Sequence, residues 1–169
     1  MSENDEISGK AVVITLMTKR PWLIPFIYYI YTYSGLTIEE LRKLVGVRTQ
    51  IIKRALWWLA KNNIVEKRGE KHVIKEEYSK HIEKLLLDHC TTGKTHVLKI
   101  GKTYFVAIIR RTRISTYTVP EDLYNKLVEY ELNVQTEFQP EDLANSLNIP
   151  IRLAHRVVAL RRILRECRS

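Results

Sequence analysis

Glycine is scarce in this chain, at six of 169 residues, and none lies in a loop of the kind that cradles phosphate. No nucleophile–base pairing and no carboxylate dyad stands out either, so neither an enzyme nor a bound cofactor is expected. Cysteine is scarcer still. Cys90 and Cys167 are far apart and form no spaced framework, which argues for a reducing, intracellular setting. His81, His89, Cys90 and His96 match no zinc spacing, so no metal site is expected. Acidic residues are under-represented, 19 against 28 Lys plus Arg, for a formal net charge of +9. That surplus favours a polyanionic partner, nucleic acid before an anionic membrane.

Long apolar runs are also missing. Pro21 to Ile38, "PWLIPFIYYIYTYSGLTI", is uncharged, but two prolines, a glycine and late hydroxyl-bearing residues cut its apolar part below the roughly 20 residues of a span. It reads as the buried first helix of a small domain. The start, "MSENDEISGK", is the opposite of a secretory signal. The expected location is cytoplasmic and nucleoid-associated. Many Ile, Lys, Arg and Glu with few Cys and Met lean towards a thermophile, and so towards an archaeal source.

Four parts are expected: a disordered start over 1–10, a domain over 11–92, a basic β segment over 93–119 and a second helical domain over 120–169. "AVVITLM" (Ala11 to Met17) reads as a short strand, because it is rich in β-branched residues. A helix follows from about Trp22 to Tyr33. Thr37-Ile38-Glu39-Glu40 is a capping box that starts the next, and Gly46 ends it. In "VRTQIIKRALWWLAKN" the apolar positions Val47, Ile51, Ala55 and Leu59 recur every four residues, and Arg48, Gln50, Lys53 and Arg54 fall off that stripe. Two extended runs, Ile64 to Lys67 and His72 to Lys75, then flank Arg68-Gly69-Glu70 as a hairpin.

The stretch "TIEELRKLVGVRTQIIKRALWWLAKNNIVEKRGEKHVIKEE" resembles the winged helix-turn-helix family of archaeal and bacterial regulators, over about residues 20 to 90. The resemblance is to a superfamily, and it implies a reading helix over 47–62 and a basic two-stranded wing. A helix from Glu77 to His89, with Tyr78, Ile82 and Leu85 on one side, would extend the domain or serve as a dimerisation arm.

Residues 93–119 carry six Lys or Arg and no acid, and read as two or three strands turning at Gly101-Lys102. Thr118-Val119-Pro120-Glu121 reads as a further capping box, opening a helix to about Leu132. A shift of 102 then lays Glu39-Glu40-Leu41 on Glu141-Asp142-Leu143, Val45-Gly46-Val47 on Leu147-Asn148-Ile149, and Arg54 on Arg156. The expected fold class is therefore mainly α with small β (α+β): an N-terminal winged helix-turn-helix, a basic β segment and a second, wingless helix-turn-helix.

The expected function is binding of double-stranded DNA, as a transcription regulator. Arg48, Thr49, Gln50, Lys53 and Arg54 are residue types that read base edges in the major groove. Lys67, Arg68 and Lys71 suit phosphate contact from the wing. Arg152, His155 and Arg156 occupy the matching positions of the second copy, before a basic last turn of Arg161, Arg162, Arg165 and Arg168. Trp57 shares the outward face of Lys53 and Arg54, which marks an interface with a second subunit, another protein or the Gly93–Ser169 part. Two alternatives stand beside this. One is a winged-helix interaction subunit of a transcription, replication or trafficking assembly. The other is RNA or single-strand binding by the basic strands with Tyr104, Phe105 and Tyr117.

Overall fold

The computed structural model describes residues 3–134 and 137–168. In chain order it contains α1 (Glu3–Lys19), a 3-10 turn (Pro21–Leu23), α2 (Ile24–Thr32), α3 (Ile38–Val45), α4 (Thr49–Lys61), β1 (Val65–Arg68), β2 (Lys71–Ile74) and α5 (Glu76–Leu86). Then come β3 (His89–Thr92), β4 (Thr95–Ile100), β5 (Thr103–Ile109), β6 (Ile114–Pro120), α6 (Glu121–Asn133), α7 (Pro140–Leu147) and α8 (Ile151–Arg168). The class is mixed α+β. Among the described residues no helix is long and apolar enough to cross a membrane.

The N-terminal segment departs from expectation. Residues 3–19 form one helix, in place of a disordered start and a strand, and residues 1 and 2 lie outside the described part. Val13, Leu16 and Met17 are buried, at the spacing of one helical face. That face packs on α5, whose Ile82 is fully buried, so tertiary burial overrides the β preference of Val12-Val13-Ile14-Thr15. The apolar side of α5 is thus covered within the chain. The helix stops at Leu86, and His89 already belongs to β3.

α3 starts on its capping box: Glu40 N–H donates to Thr37 Oγ1 at 3.1 Å, and Thr37 N–H to Glu40 Oε1 at 3.4 Å. Gly46 ends it in the left-handed region at φ 79°. In α4 the fully buried residues are Ile52, Ala55 and Leu59, with Leu56 at 6% exposure, and Ile51 is only half-buried. A step of four advances about 40° beyond a full turn, so the stripe expected at every fourth residue drifts and the real core line runs through Ile52. β1 and β2 pair antiparallel from Val65↔Ile74 to Arg68↔Lys71, turning at Gly69-Glu70. Two hydrogen bonds between Leu36 and His72 join this hairpin to the segment before α3. A Cβ on Gly35 would come within 2.6 Å of Val73 Cγ1, so only glycine admits that approach.

The basic segment supplies three strands, β4, β5 and β6, within the two or three expected, and His89–Thr92 pairs on its edge to complete a four-stranded antiparallel meander, β3-β4-β5-β6. Its side chains alternate between two cores. Leu98, Phe105 and Ile109 pack with α1–α5, while Val97, Val106 and Val119 pack with α6–α8. The sheet is therefore the middle layer. Thr118 belongs to β6 and makes no side-chain cap. α6 begins after Pro120, so the expected second capping box is absent.

On the face towards α2, Tyr28 stacks on His89 at 4.1 Å between ring centroids. His89 Nε2 and His96 Nδ1 share a hydrogen bond of 2.9 Å. Burial pushes His89 down to about 4, and burial together with the neighbouring His89 pushes His96 down to about 3. On the opposite face α8 crosses the sheet, and Cys90 of β3 is disulfide-bonded to Cys167, with Cα atoms 5.9 Å apart. That bond overturns the expectation of separate thiols, and with it the argument for a reducing setting.

Candidate nucleic-acid interface

Two helix pairs stand at an offset of 102 residues. α3 and α7 share it at both ends, and α4 and α8 share it at their starts. The local code is preserved in different letters. Asp142 accepts from Gln139 N–H at 2.8 Å, as Glu40 accepts from Thr37 N–H, and Asn148 takes the left-handed turn at φ 53°. Leu41 and Leu143, Ile52 and Ala154, and Ala55 and Val157 are all fully buried.

The outward sides of the two second helices differ. On α4, Arg48, Gln50, Lys53 and Arg54 are exposed and Thr49 is half-buried. No acidic residue occurs from Val47 to Lys61, and among the described residues none of these cations is ion-paired. Their charge is unopposed. The hairpin adds exposed Lys67, Arg68 and Lys71, although Arg68 is bridged to Glu66 at 2.7 Å.

On α8 only part of the expected set is available. Arg152 and His155 are exposed, with His155 Nε2 3.9 Å from Glu141. Arg156 is half-buried, its guanidinium 5.6 Å from the Tyr117 ring centroid, so the counterpart of Arg54 is turned onto the sheet. Arg161 donates to Glu131 at 3.0 Å and to Tyr124 Oη at 2.9 Å, and Arg165 donates to Glu131 at 2.8 Å. These two arginines of the basic last turn join α8 to α6. The Arg168 side chain and Ser169 lie outside the described residues.

Trp57 is 54% exposed. Its near neighbours are Trp58, edge-on at 4.9 Å, and Lys61 Nζ, 4.7 Å from its ring centroid. The Gly93–Ser169 part does not bury it, so that proposed contact is removed. Trp58 packs under Arg20, whose guanidinium carbon sits 3.4 Å from the ring centroid.

The aromatic residues of the sheet form no open stacking platform. Phe105 is 5% exposed, Tyr104 packs on Tyr124 at 5.1 Å, and the Tyr117 hydroxyl is buried. The sequence shows the six cations of this segment only as a count within the basic strands. In the fold they separate by sheet end. Lys99 and Lys102 lie at the β4–β5 turn, Lys99 paired with Glu121 at 3.0 Å, while Lys94, Arg110, Arg111 and Arg113 lie at the other end. Strand register was the missing information.

No family of known proteins, no curated protein and no solved structure matches the chain.

Proposed function

We propose that this chain binds double-stranded DNA through a winged helix-turn-helix, with α3 and α4 as the helix pair, β1–β2 as the wing and α4 as the reading helix. The observation that carries the proposal is the exposed, acid-free face of α4, with Arg48, Gln50, Lys53 and Arg54 directly after a left-handed glycine turn. Arg and Lys suit guanine O6 and N7, and Gln suits adenine. Lys67 and Lys71 of the wing supply phosphate contacts that set orientation without reading sequence. A homodimer would read a pseudo-palindrome, and the two helix pairs of one chain an asymmetric tandem site. In this reading the protein is a nucleoid-associated regulator.

Binding of a labelled random-sequence duplex, measured over a salt series, tests this directly. Affinity should fall steeply with salt, by about 0.9 log unit per log unit of salt for each phosphate neutralised. The variant Arg48→Ala/Lys53→Ala/Arg54→Ala should lose at least roughly a hundredfold at low salt, since three such contacts are worth about 1 kcal/mol or more each. A wild-type protein that ignores the duplex at low salt would sink the proposal.

The exposed Trp57 supports a second reading, a winged-helix interaction subunit that holds a protein partner through this ring. Aromatic residues with one wet face are enriched at interfaces. In that case duplex binding is weak and nearly salt-independent, and Trp57→Ala disrupts the assembly.

A further inference from the structure

The sheet end beside α4 carries cations that neither the reading helix nor the wing includes. Register fixes the place. Thr92↔Thr95 closes the β3–β4 turn over Gly93-Lys94, and Ile109↔Ile114 closes the β5–β6 turn over residues 110–113. Thr95↔Ile108 puts both turns at the same end, and Ile109 N–H donates to Lys94 O at 2.8 Å.

That end abuts the helix pair. A Cβ built on Gly46, in the α3–α4 turn, would lie 3.5 Å from Lys94 Nζ. Thr112, Arg113 and Ile114 line one cavity of about 250 Å³ with Trp22, Ile51 and Arg54, the last two from α4. Lys94, Arg110, Arg111 and Arg113 are all exposed. Arg110 is partly occupied, donating to Ser115 Oγ at 3.3 Å. Residues 89–120 contain no acid, and among the described residues Lys94, Arg111 and Arg113 have no ion-pair partner. Like charges gathered this closely repel one another in the free protein, and a polyanion laid across them removes that repulsion.

Resting on the duplex-binding reading above, we infer that Lys94, Arg111 and Arg113 form a second phosphate-contacting ridge. It grips the DNA backbone next to the segment that α4 reads. The sheet end thus acts as an additional basic hairpin, supplied from outside the helix-turn-helix. Duplex is favoured over single strands because the cations come from two separate turns beside α4, while the aromatic residues of the sheet offer them no open stacking face.

The test compares wild type with Lys94→Ala/Arg111→Ala/Arg113→Ala, by duplex binding across a salt series and by hydroxyl-radical footprinting. The variant should keep the wild-type circular dichroism spectrum, since all three side chains are exposed in turns. Its salt slope should fall by about 2–3, at about 0.9 per lost phosphate contact. Protection should vanish at one flank and persist over the region that the α4 alanine variant loses. Arg111→Lys/Arg113→Lys should retain the slope. A wild-type slope and footprint in the alanine variant would overturn the ridge while leaving the α4 reading intact. A wild-type protein that does not bind duplex would overturn both.

Discussion

Reduction of the Cys90–Cys167 bond should lower the midpoint of thermal unfolding by roughly 8–16 °C. The bond joins β3 to the end of α8 across 77 residues. Cutting a closure of that length frees the unfolded chain by about 4 kcal/mol on the loop-entropy account. For a chain of this size each kcal/mol moves the midpoint by about 2–4 °C. Folding itself should survive, because Leu160 and Leu164 of α8 remain buried against the second core and Glu166 still accepts from Thr92 Oγ1 at 3.2 Å. The check is a pair of melting curves with and without reductant, beside Cys90→Ser/Cys167→Ser, which should melt at the lower temperature in both. Identical midpoints for oxidised and reduced wild type would mean the bond constrains nothing.

Acidification from pH 8 to pH 5 should cost the fold up to about 4 kcal/mol through His89 and His96. Both are held below the ordinary histidine value, at about 4 and about 3. Their folded forms therefore stay neutral at pH 5, while in the unfolded chain, with pKa about 6.5, each has taken up almost a full proton. Where the unfolded state binds more protons, stability rises with pH. The contribution is thus complete above about pH 6.5 and is lost as pH falls through 6.5 towards 4. Integrated, this is roughly 2 kcal/mol per histidine. His72 adds to the same trend, since burial and then the nearby Lys67 lower it as well. Denaturant titrations at pH 8, 6.5 and 5 measure the slope, and His96→Gln should flatten it by about half. A wild-type stability that is level across that range would show the pair to be wet.

What the sequence made legible was what is encoded within a few residues. Thr37 and Glu40 announce α3, Gly46 its end, and Gly69 the hairpin, because capping and left-handed turns are local physics. The same applies to the offset of 102, where Asp142 and Asn148 repeat the roles of Glu40 and Gly46. The exposed residues of α4 followed from its periodicity, within the drift that moved the core line from Ile51 to Ile52.

What was lost depends on partners distant in sequence. α1 is a helix because α5 offers it an apolar face, and nothing between Ala11 and Met17 encodes that. Cys90 and Cys167 meet only after α8 has crossed the sheet. Arg156 looked equivalent to Arg54 by position, and each lies over an aromatic ring, Tyr117 at 5.6 Å and Trp22 at 5.9 Å, but Arg156 is half-buried against the sheet while Arg54 stays exposed. The cations of residues 93–119 could be divided between two sheet ends only once the register was known.

The central sheet has a further consequence, for how the molecule comes apart. Val97 and Leu98 are neighbours in the chain, yet each is a wall of a different core. Neither helical layer can melt without wetting one side of strands that the other layer still needs. The two halves, alike in local design, are therefore fused into one cooperative unit, with a single unfolding step and amides in β4 and β5 that exchange with solvent only on global opening.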